Sequence, residues 1–380
     1  MRRILYVHGN SNIIGGIETF VETSVFHHKE FRPFIIFIND GLLPERIRKK
    51  GFKDVSVLNG SRLRHLHKTL LSILGIVRFI KEQAIDVVVG HGFHAWVYAG
   101  ISAKLAGIES VHYVHGIMKK KRLRFPDMIE WIALRLKPTM FLANSEASLN
   151  GIKDVYGQEV SAKLLHPGVD CSKWGSKDPL KQVNLRAELG LPAHGKIVSV
   201  VGRIQEWKGQ EYFIRAIPMI LKEVSDAYFL IVGGPTFDKD YPYNKKLNQL
   251  TEVLEIKDKV RFAGFREDVA EIMSLSSVLV HASIEPEPFG LVLVEGMASG
   301  RPVIATDIGG PREIIVQNES GILIPPKDED ALAKAVVRVL QDEPFRNKLA
   351  ENAKATIKAR FSIETCISKM EDHLETLCSK

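Results

Sequence analysis

Glu285-Pro286-Glu287-Pro288-Phe289-Gly290-Leu291-Val292-Leu293-Val294-Glu295-Gly296-Met297-Ala298-Ser299-Gly300-Arg301-Pro302-Val303-Ile304-Ala305 holds a loop, a helix and a strand in one run. The β-branched segment Val278–Val280 precedes it as another strand, and Pro286 and Pro288 mark the intervening loop. Gly290 permits a close backbone approach where the helix begins. Gly300 closes the helix at C′, and Pro302 prevents its continuation. A strand, a helix and a further strand form the repeating unit of a parallel sheet with right-handed crossovers.

The same unit recurs outward in both directions. Ile4–Val7, Phe34–Ile38, Val87–Val89, Val111–Val114, Met140–Ala143 and Leu164–His166 read as one series of strands. Ile197–Val201, Phe229–Val232, Val260–Phe262, Val278–Val280, Val303–Ala305 and Ile322–Ile324 read as a second. Between them lie helical patterns such as Ile17, Phe20, Val21, Val25 and Leu70, Ile73, Leu74, Val77, Ile80, and helices such as Tyr212–Leu221 and Ala331–Leu340. Two series predict an α/β protein of two doubly wound parallel-sheet, Rossmann-like domains facing across a deep cleft. Pro, Gly and charge rise between His166 and Pro192, which places the join there. After Phe345 the chain reads as helical to its end, interrupted at Phe361-Ser362.

A length of 380 residues suits two such domains. Apolar residues at 45% and charged residues at 26% exclude a disordered tail, a coiled coil and a collagen. Cys171, Cys366 and Cys378 are too scattered for a disulfide framework or a zinc site and suit a reducing compartment. No apolar run reaches a bilayer's span, and Met1–His8 reads as a first strand rather than a signal peptide, so a cytoplasmic location is expected. The net charge of +7 is uneven: residues 1–170 hold 24 Lys and Arg against 15 Asp and Glu (+9), and the remainder 28 against 30 (−2). The first half therefore suits an anionic partner.

Ligands of open parallel sheets bind outside the carboxyl ends of the strands, so the loops that follow strands carry the candidates. At the Gly290 helix the N–H groups around Gly290, Leu291 and Val292 form an anion site. Glu287 in the loop and Glu295 in the helix's second turn reach one ligand only if it bends round the helix start, with phosphates at the N–H groups. A nucleoside diphosphate sugar has that shape. Val201-Gly202-Arg203-Ile204-Gln205-Glu206-Trp207-Lys208-Gly209 follows the first strand of the second series, and Arg203 and Lys208 can share one diphosphate, stabilising charge that develops as it leaves. Gly9-Asn10-Ser11-Asn12-Ile13-Ile14-Gly15-Gly16-Ile17-Glu18 is Gly-rich without the Gly-x-Gly-x-x-Gly of nicotinamide dinucleotide folds; Gly15 and Gly16 let a phosphate or sugar approach the backbone. His91-Gly92 and His115-Gly116 each end a strand and can hydrogen-bond a sugar hydroxyl, whereas His112 suits a structural role. Asp238-Lys239-Asp240, an Asp-x-Asp pair among lysines, is expected to be a solvated loop rather than a metal site.

These stretches resemble the family 4 retaining glycosyltransferases of the GT-B fold (glycosyl transferases group 1). The resemblance runs through Gly15-Gly16-Ile17-Glu18, His115-Gly116, Asn144-Ser145, Pro167-Gly168-Val169-Asp170, Val201-Gly202-Arg203 with Lys208-Gly209, Gly264-Phe265, and Glu287-Pro288-Phe289-Gly290 with Glu295. It implies Arg203 and Lys208 on a donor diphosphate, Phe265 beside the base, Glu287 on the transferred sugar, Gly290 and Leu291 amides on phosphate with Phe289 in the same loop, Glu295 on ribose, and His115 by the reacting sugar. It also implies no metal and no cofactor. The domains would be residues 1–170 on the acceptor side, with a terminal helix of about 363–380 returning to it, and residues 171–362 binding the nucleotide sugar.

The expected activity is transfer of a hexose with retention from a UDP- or GDP-sugar to an acceptor hydroxyl, in lipopolysaccharide or surface-polysaccharide assembly. The alternatives are a nucleotide-sugar epimerase on the same fold, a transferase with a soluble acceptor, and a binding protein without activity. Lys119, Lys120, Lys121, Arg122 and Arg124 sit just after His115-Gly116, and Arg62, Arg64 and Lys68 precede the apolar Leu70, Leu71, Ile73, Leu74 and Val77. This basic, partly apolar rim suits a saccharide or lipid-linked acceptor at an anionic inner membrane face. No aromatic-interleaved groove points to nucleic acid.

Overall fold

A computed structural model describes residues 1–9, 15–58, 65–119, 135–175, 178–235 and 238–379. The chain forms two compact units: Met1–Gly168 with Ile363–Lys380, and Val169–Ser362. The division falls between Gly168 and Val169, two residues before the expected 170/171.

In the first unit the strands are β1 (Arg2–His8), β2 (Phe31–Phe37), β3 (Val55–Val57), β4 (Val87–His91), β5 (Glu109–Val114), β6 (Met140–Ala143) and β7 (Ala162–Leu164). They pair in parallel in the order β3-β2-β1-β4-β5-β6-β7. The central strands β1, β4, β5 and β6 are buried on both faces, as helix-covered parallel strands must be. Val55–Val57 escapes the sequence reading, and the seventh strand ends at Leu164 rather than beginning there.

The helix Ile363–Cys378 belongs to this unit by packing. Ile363, Ile367, Met370, Leu374 and Leu377 lie in one cluster with Ile4, Tyr6, Phe31, Val87 and Val111. Glu371 fastens it: its Oε1 accepts from His28 Nδ1 at 2.9 Å and from the amides of Lys29, Glu30 and Phe31 at 2.9, 3.1 and 3.3 Å. Burial alone would raise this carboxyl's pKa, but those donors more than offset it and hold it low.

The second unit has β8 (Lys196–Val201), β9 (Ala227–Val232), β10 (Val260–Gly264), β11 (Val278–His281), β12 (Val303–Thr306) and β13 (Ile322–Ile324). Their parallel order is β10-β9-β8-β11-β12-β13. Helix Leu291–Ala298 starts after Gly290 (φ +104°), which no L side chain adopts readily, and ends before Gly300 (φ +68°). Helices Gln210–Glu223 and Glu329–Gln341 bury Phe213, Ile217, Ile220, Leu332, Val336 and Val339 in the same core as Val198, Phe229 and Val280.

Candidate active site

In each sheet the strand order reverses once. A crevice opens there at the carboxyl ends, because the flanking crossovers lie on opposite faces. In the second sheet the reversal lies between β8 and β11. The loops that leave these strands are 202–209 and 282–290, the ones that carry the candidate cations and acids.

The two loops are tied together. Ile284 N–H donates to Trp207 O at 2.8 Å. Gly209 (φ +67°) comes so close to the second loop that a Cβ there would stand 2.0 Å from Ala282 O, so only glycine fits. Lys208 Nζ thereby reaches Glu287 Oε2 at 2.5 Å. His281 Nε2 lies 3.2 Å from the same oxygen, and Ser283 Oγ donates to it at 3.3 Å. Ser283 is itself held, since Thr306 Oγ1 donates to its carbonyl at 2.7 Å. Burial would raise the pKa of Glu287, but the Lys208 charge and the His281 contact outweigh it and hold this carboxyl well below the usual range. It is an ionised carboxylate already paired with a cation. His281 and Ser283 were not singled out from the sequence; the only signal was their position at the end of β11.

Arg203 is exposed, and among the described residues its guanidinium has no acidic partner. Phe265 follows β10 and is 65% exposed. Gly290 and Leu291 stand at the helix start, where the first N–H groups have no intrahelical acceptor. Phe289 differs from the expectation of a ligand contact: its side chain is core, packed on Phe361 with ring centroids 5.8 Å apart, so only its backbone faces outward chemistry. Asp240 also differs from the solvated loop expected of it. Its side chain is buried and accepts a hydrogen bond from Gln205.

Glu295 keeps part of its surface exposed, yet burial pushes its carboxyl up to about 8. Among the described residues no hydrogen bond or ion pair holds it. A carboxyl raised in the fold binds its proton more tightly there than in the unfolded chain. The stability it contributes is therefore complete below the unfolded value of 4.5 and lost as pH rises through about 8. Glu295→Gln removes that loss. Between about pH 5 and pH 8 the wild-type melting temperature should fall further than that of the variant; equal falls would show that this carboxyl ionises in the fold without cost.

In the first sheet the reversal lies between β1 and β4. His8 and His91 end these strands side by side, and His115 follows β5. His91 Nδ1 and His115 Nε2 are 3.0 Å apart, with the rings stacked at 5.3 Å. His91 is enclosed between Tyr6 and His115 rather than presented to a ligand, while His115 keeps partial exposure. Burial, with His8 nearby, lowers His115 to about 3 and keeps the ring neutral. His112 stacks on Trp96 at 5.3 Å in the core, as its structural reading requires. Gly15 and Gly16 open the helix Gly16–Ser24, but the Gly15 amide donates to Glu18 Oε2 at 3.0 Å, so the capping acid already engages that N–H. Lys119 is exposed, whereas Lys120, Lys121, Arg122 and Arg124 lie outside the described residues, as do Arg62 and Arg64.

Residues 181–356 match the family described as glycosyl transferases group 1, and residues 14–173 match Glycosyltransferase Family 4. UDP-Gal:alpha-D-GlcNAc-diphosphoundecaprenol alpha-1,3-galactosyltransferase of Escherichia coli is 27% identical over 81% of this chain and 79% of its own. D-inositol 3-phosphate glycosyltransferase of Corynebacterium urealyticum is 27% identical over 80% of this chain and 74% of its own. Among solved structures, Anabaena HepE in complex with UDP-glucose superposes with a TM-score of 0.84 at 25% identity, covering 99% of this chain and 100% of that one. Two parallel-sheet units and matches in both halves lead to one conclusion: the chain belongs to the family 4, group 1 glycosyltransferases of the GT-B fold.

Proposed function

We propose that the protein transfers a hexose, with retention and without a metal ion, from a UDP- or GDP-sugar to an acceptor hydroxyl in lipopolysaccharide or surface-polysaccharide assembly. The observation that carries this reading is the Lys208–Glu287–His281 cluster beside the Gly290 helix start, with Arg203 free of an acidic partner among the described residues. In this reading Arg203, Lys208 and the helix amides hold the diphosphate, and Glu287 holds hydroxyls of the transferred sugar. Glu295 takes the ribose, Phe265 lies by the base, and His115 lies by the reacting sugar. Gly15 and Gly16 let a phosphate or sugar approach their backbone. Two tied loops that already present two cations and a helix N-terminus can stabilise the leaving charge. The departing phosphate oxygen then takes the acceptor proton on the face that it leaves, which retains the anomeric configuration.

The residues of Val169–Ser362 bind the donor in this proposal, and those of Met1–Gly168 with the terminal helix receive the acceptor. The Escherichia coli relative names UDP-galactose and a diphosphoundecaprenol-linked acceptor, and HepE was solved with UDP-glucose; both support a nucleotide-sugar donor. The test is product NMR after a screen of UDP-, GDP- and ADP-sugars by thermal shift, in which the true donor stabilises by mass action. A retained anomer, formed equally well in EDTA, is expected. Inversion, or activity lost to EDTA and restored by Mn²⁺, would reject the mechanism; donor turnover without any acceptor would indicate an epimerase.

The proposal extends to the membrane. Among the described residues no helix is long and apolar enough to cross one. Helix Leu66–Glu82, however, exposes Leu70, Leu71 and Leu74 beside Lys68, Arg78 and Lys81. Such a face suits peripheral binding to anionic lipid, with roughly 1 kcal/mol from each cation near the surface. Co-sedimentation with vesicles should require anionic lipid, weaken with salt and fall when Lys119, Lys120 and Lys121 are changed to Ser. Equal binding to neutral vesicles would refute it and leave a soluble acceptor.

A further inference from the structure

Lys208 has a second support besides Glu287. Its Nζ lies 4.1 Å from the centroid of the Trp207 ring, within cation–π range. The indole is itself fixed from behind. Trp207 Nε1–H donates to Gln205 Oε1 at 3.0 Å, and Gln205 Nε2 donates to Asp240 Oδ2 at 3.2 Å. Gln205 and Asp240 are 7% and 5% exposed, so both contacts are shielded from water.

The chemistry of the chain permits one arrangement. An indole N–H only donates, and a carboxylate only accepts. The Gln205 amide must therefore turn its oxygen to Trp207 and its nitrogen to Asp240. A flip would set oxygen against carboxylate and N–H against N–H. Hydrogen bonds in series also polarise one another. The carboxylate draws on the Gln205 amide, the amide oxygen draws on the indole N–H, and electron density shifts toward the ring face that carries the ammonium. Asp240 comes from a short turn (Asp238–Asp240) far along the chain from the 202–209 loop, so the contact also ties the loop to the segment after β9.

We propose that Asp240, acting through Gln205 and Trp207, is a positioning residue that seats the Lys208 ammonium. The proposal rests on the reading of Lys208 as a diphosphate ligand only for its functional consequence, and not for the relay itself. It gives the Asp238-Lys239-Asp240 segment a task other than metal binding: one of its two acids faces inward as the anchor of a side-chain relay.

Two readouts test it. The first is the ¹H–¹⁵N resonance of the Trp207 indole, assigned among the 4 tryptophans by its disappearance in Trp207→Phe. In Asp240→Ala this resonance should move upfield, and in Asp240→Asn, which can still accept from Gln205, it should stay near its wild-type place. An indole resonance unmoved in Asp240→Ala overturns the relay whatever happens to function. The second is the Kd for UDP, or for GDP where GDP binds more tightly. Asp240→Ala and Trp207→Phe should each weaken binding by up to about tenfold, the size of a shielded cation–π contact. In a Lys208→Ala background Asp240→Ala should add nothing, because it acts through that ammonium. The same further loss in both backgrounds would overturn the positioning role and mark Asp240 as a general structural residue. If Lys208→Ala leaves nucleotide affinity untouched, the diphosphate reading of Lys208 fails, and the indole resonance still decides the relay.

Discussion

Glu287→Ala and Lys208→Ala should each lose about 10²–10³ of turnover while the fold survives, the usual cost of removing one preorganised charge contact at a reacting centre. The two side chains are 2.5 Å apart and largely shielded, so each holds the other's charge in place before any ligand arrives. Without Lys208, the Glu287 carboxylate keeps, among the described residues, only His281 and Ser283. Either truncation leaves the other shielded charge without its counter-ion, so both variants should melt earlier than the wild type. The double variant should be little worse than the poorer single one, because paired residues are not additive. Turnover and melting curves on the three proteins check this. Near-wild-type turnover in either single variant would remove these residues from the chemistry.

Why these two residues could be read from sequence, while their neighbours could not, follows from the kind of signal each leaves. A parallel strand buried on both faces must be a short β-branched run, and all six strands of the second unit left that mark. Val55–Val57 did not: it is three residues long, half-buried and at the sheet edge. At Leu164-Leu165 the apolar pair drew the strand too far along. Leu165 is buried, but it lies beyond the strand's end, where its carbonyl accepts from Tyr113 Oη at 2.6 Å. Glu287 and Lys208 stood out because each sits between breakers in a loop that follows a strand. His281 looked like one more strand residue. Its meeting with Glu287 depends on how the 282–287 loop doubles back, which no spacing encodes. Phe289 and Asp240 misled for the same reason. An aromatic ring in a functional loop turned inward to fill the core beside Phe361, and an acid among lysines turned inward to accept from Gln205.

The loop that carries Glu287 leans on a glycine pair that the sequence alone makes look like an ordinary turn. Gly310 N–H donates to Glu287 O at 2.8 Å, and Glu287 and Gly309 form an isolated parallel bridge. The backbone of Gly310 itself is ordinary (φ −54°), so its requirement is purely steric. A Cβ there would stand 2.0 Å from Phe289 O and 2.3 Å from Phe289 Cα. Both are backbone atoms, and no rotamer change can relieve the clash. Gly310→Ala must therefore push the 287–290 segment away, and Glu287 moves with it. Overpacking of this kind costs about 1–3 kcal/mol of stability. A displacement near 1 Å at a reacting group costs about 10² in rate, so activity should fall further than stability predicts. Gly75→Ala is the control: its Cβ would meet only Leu58 Cδ2 at an ordinary 3.6 Å, inside the helix Leu66–Glu82, where alanine is favoured over glycine. Melting temperature and turnover should be unchanged or raised in Gly75→Ala and lowered together in Gly310→Ala. A Gly310→Ala protein with wild-type turnover would mean that the Glu287 loop takes its position from Lys208 and His281 alone, with no need of the glycine pair behind it.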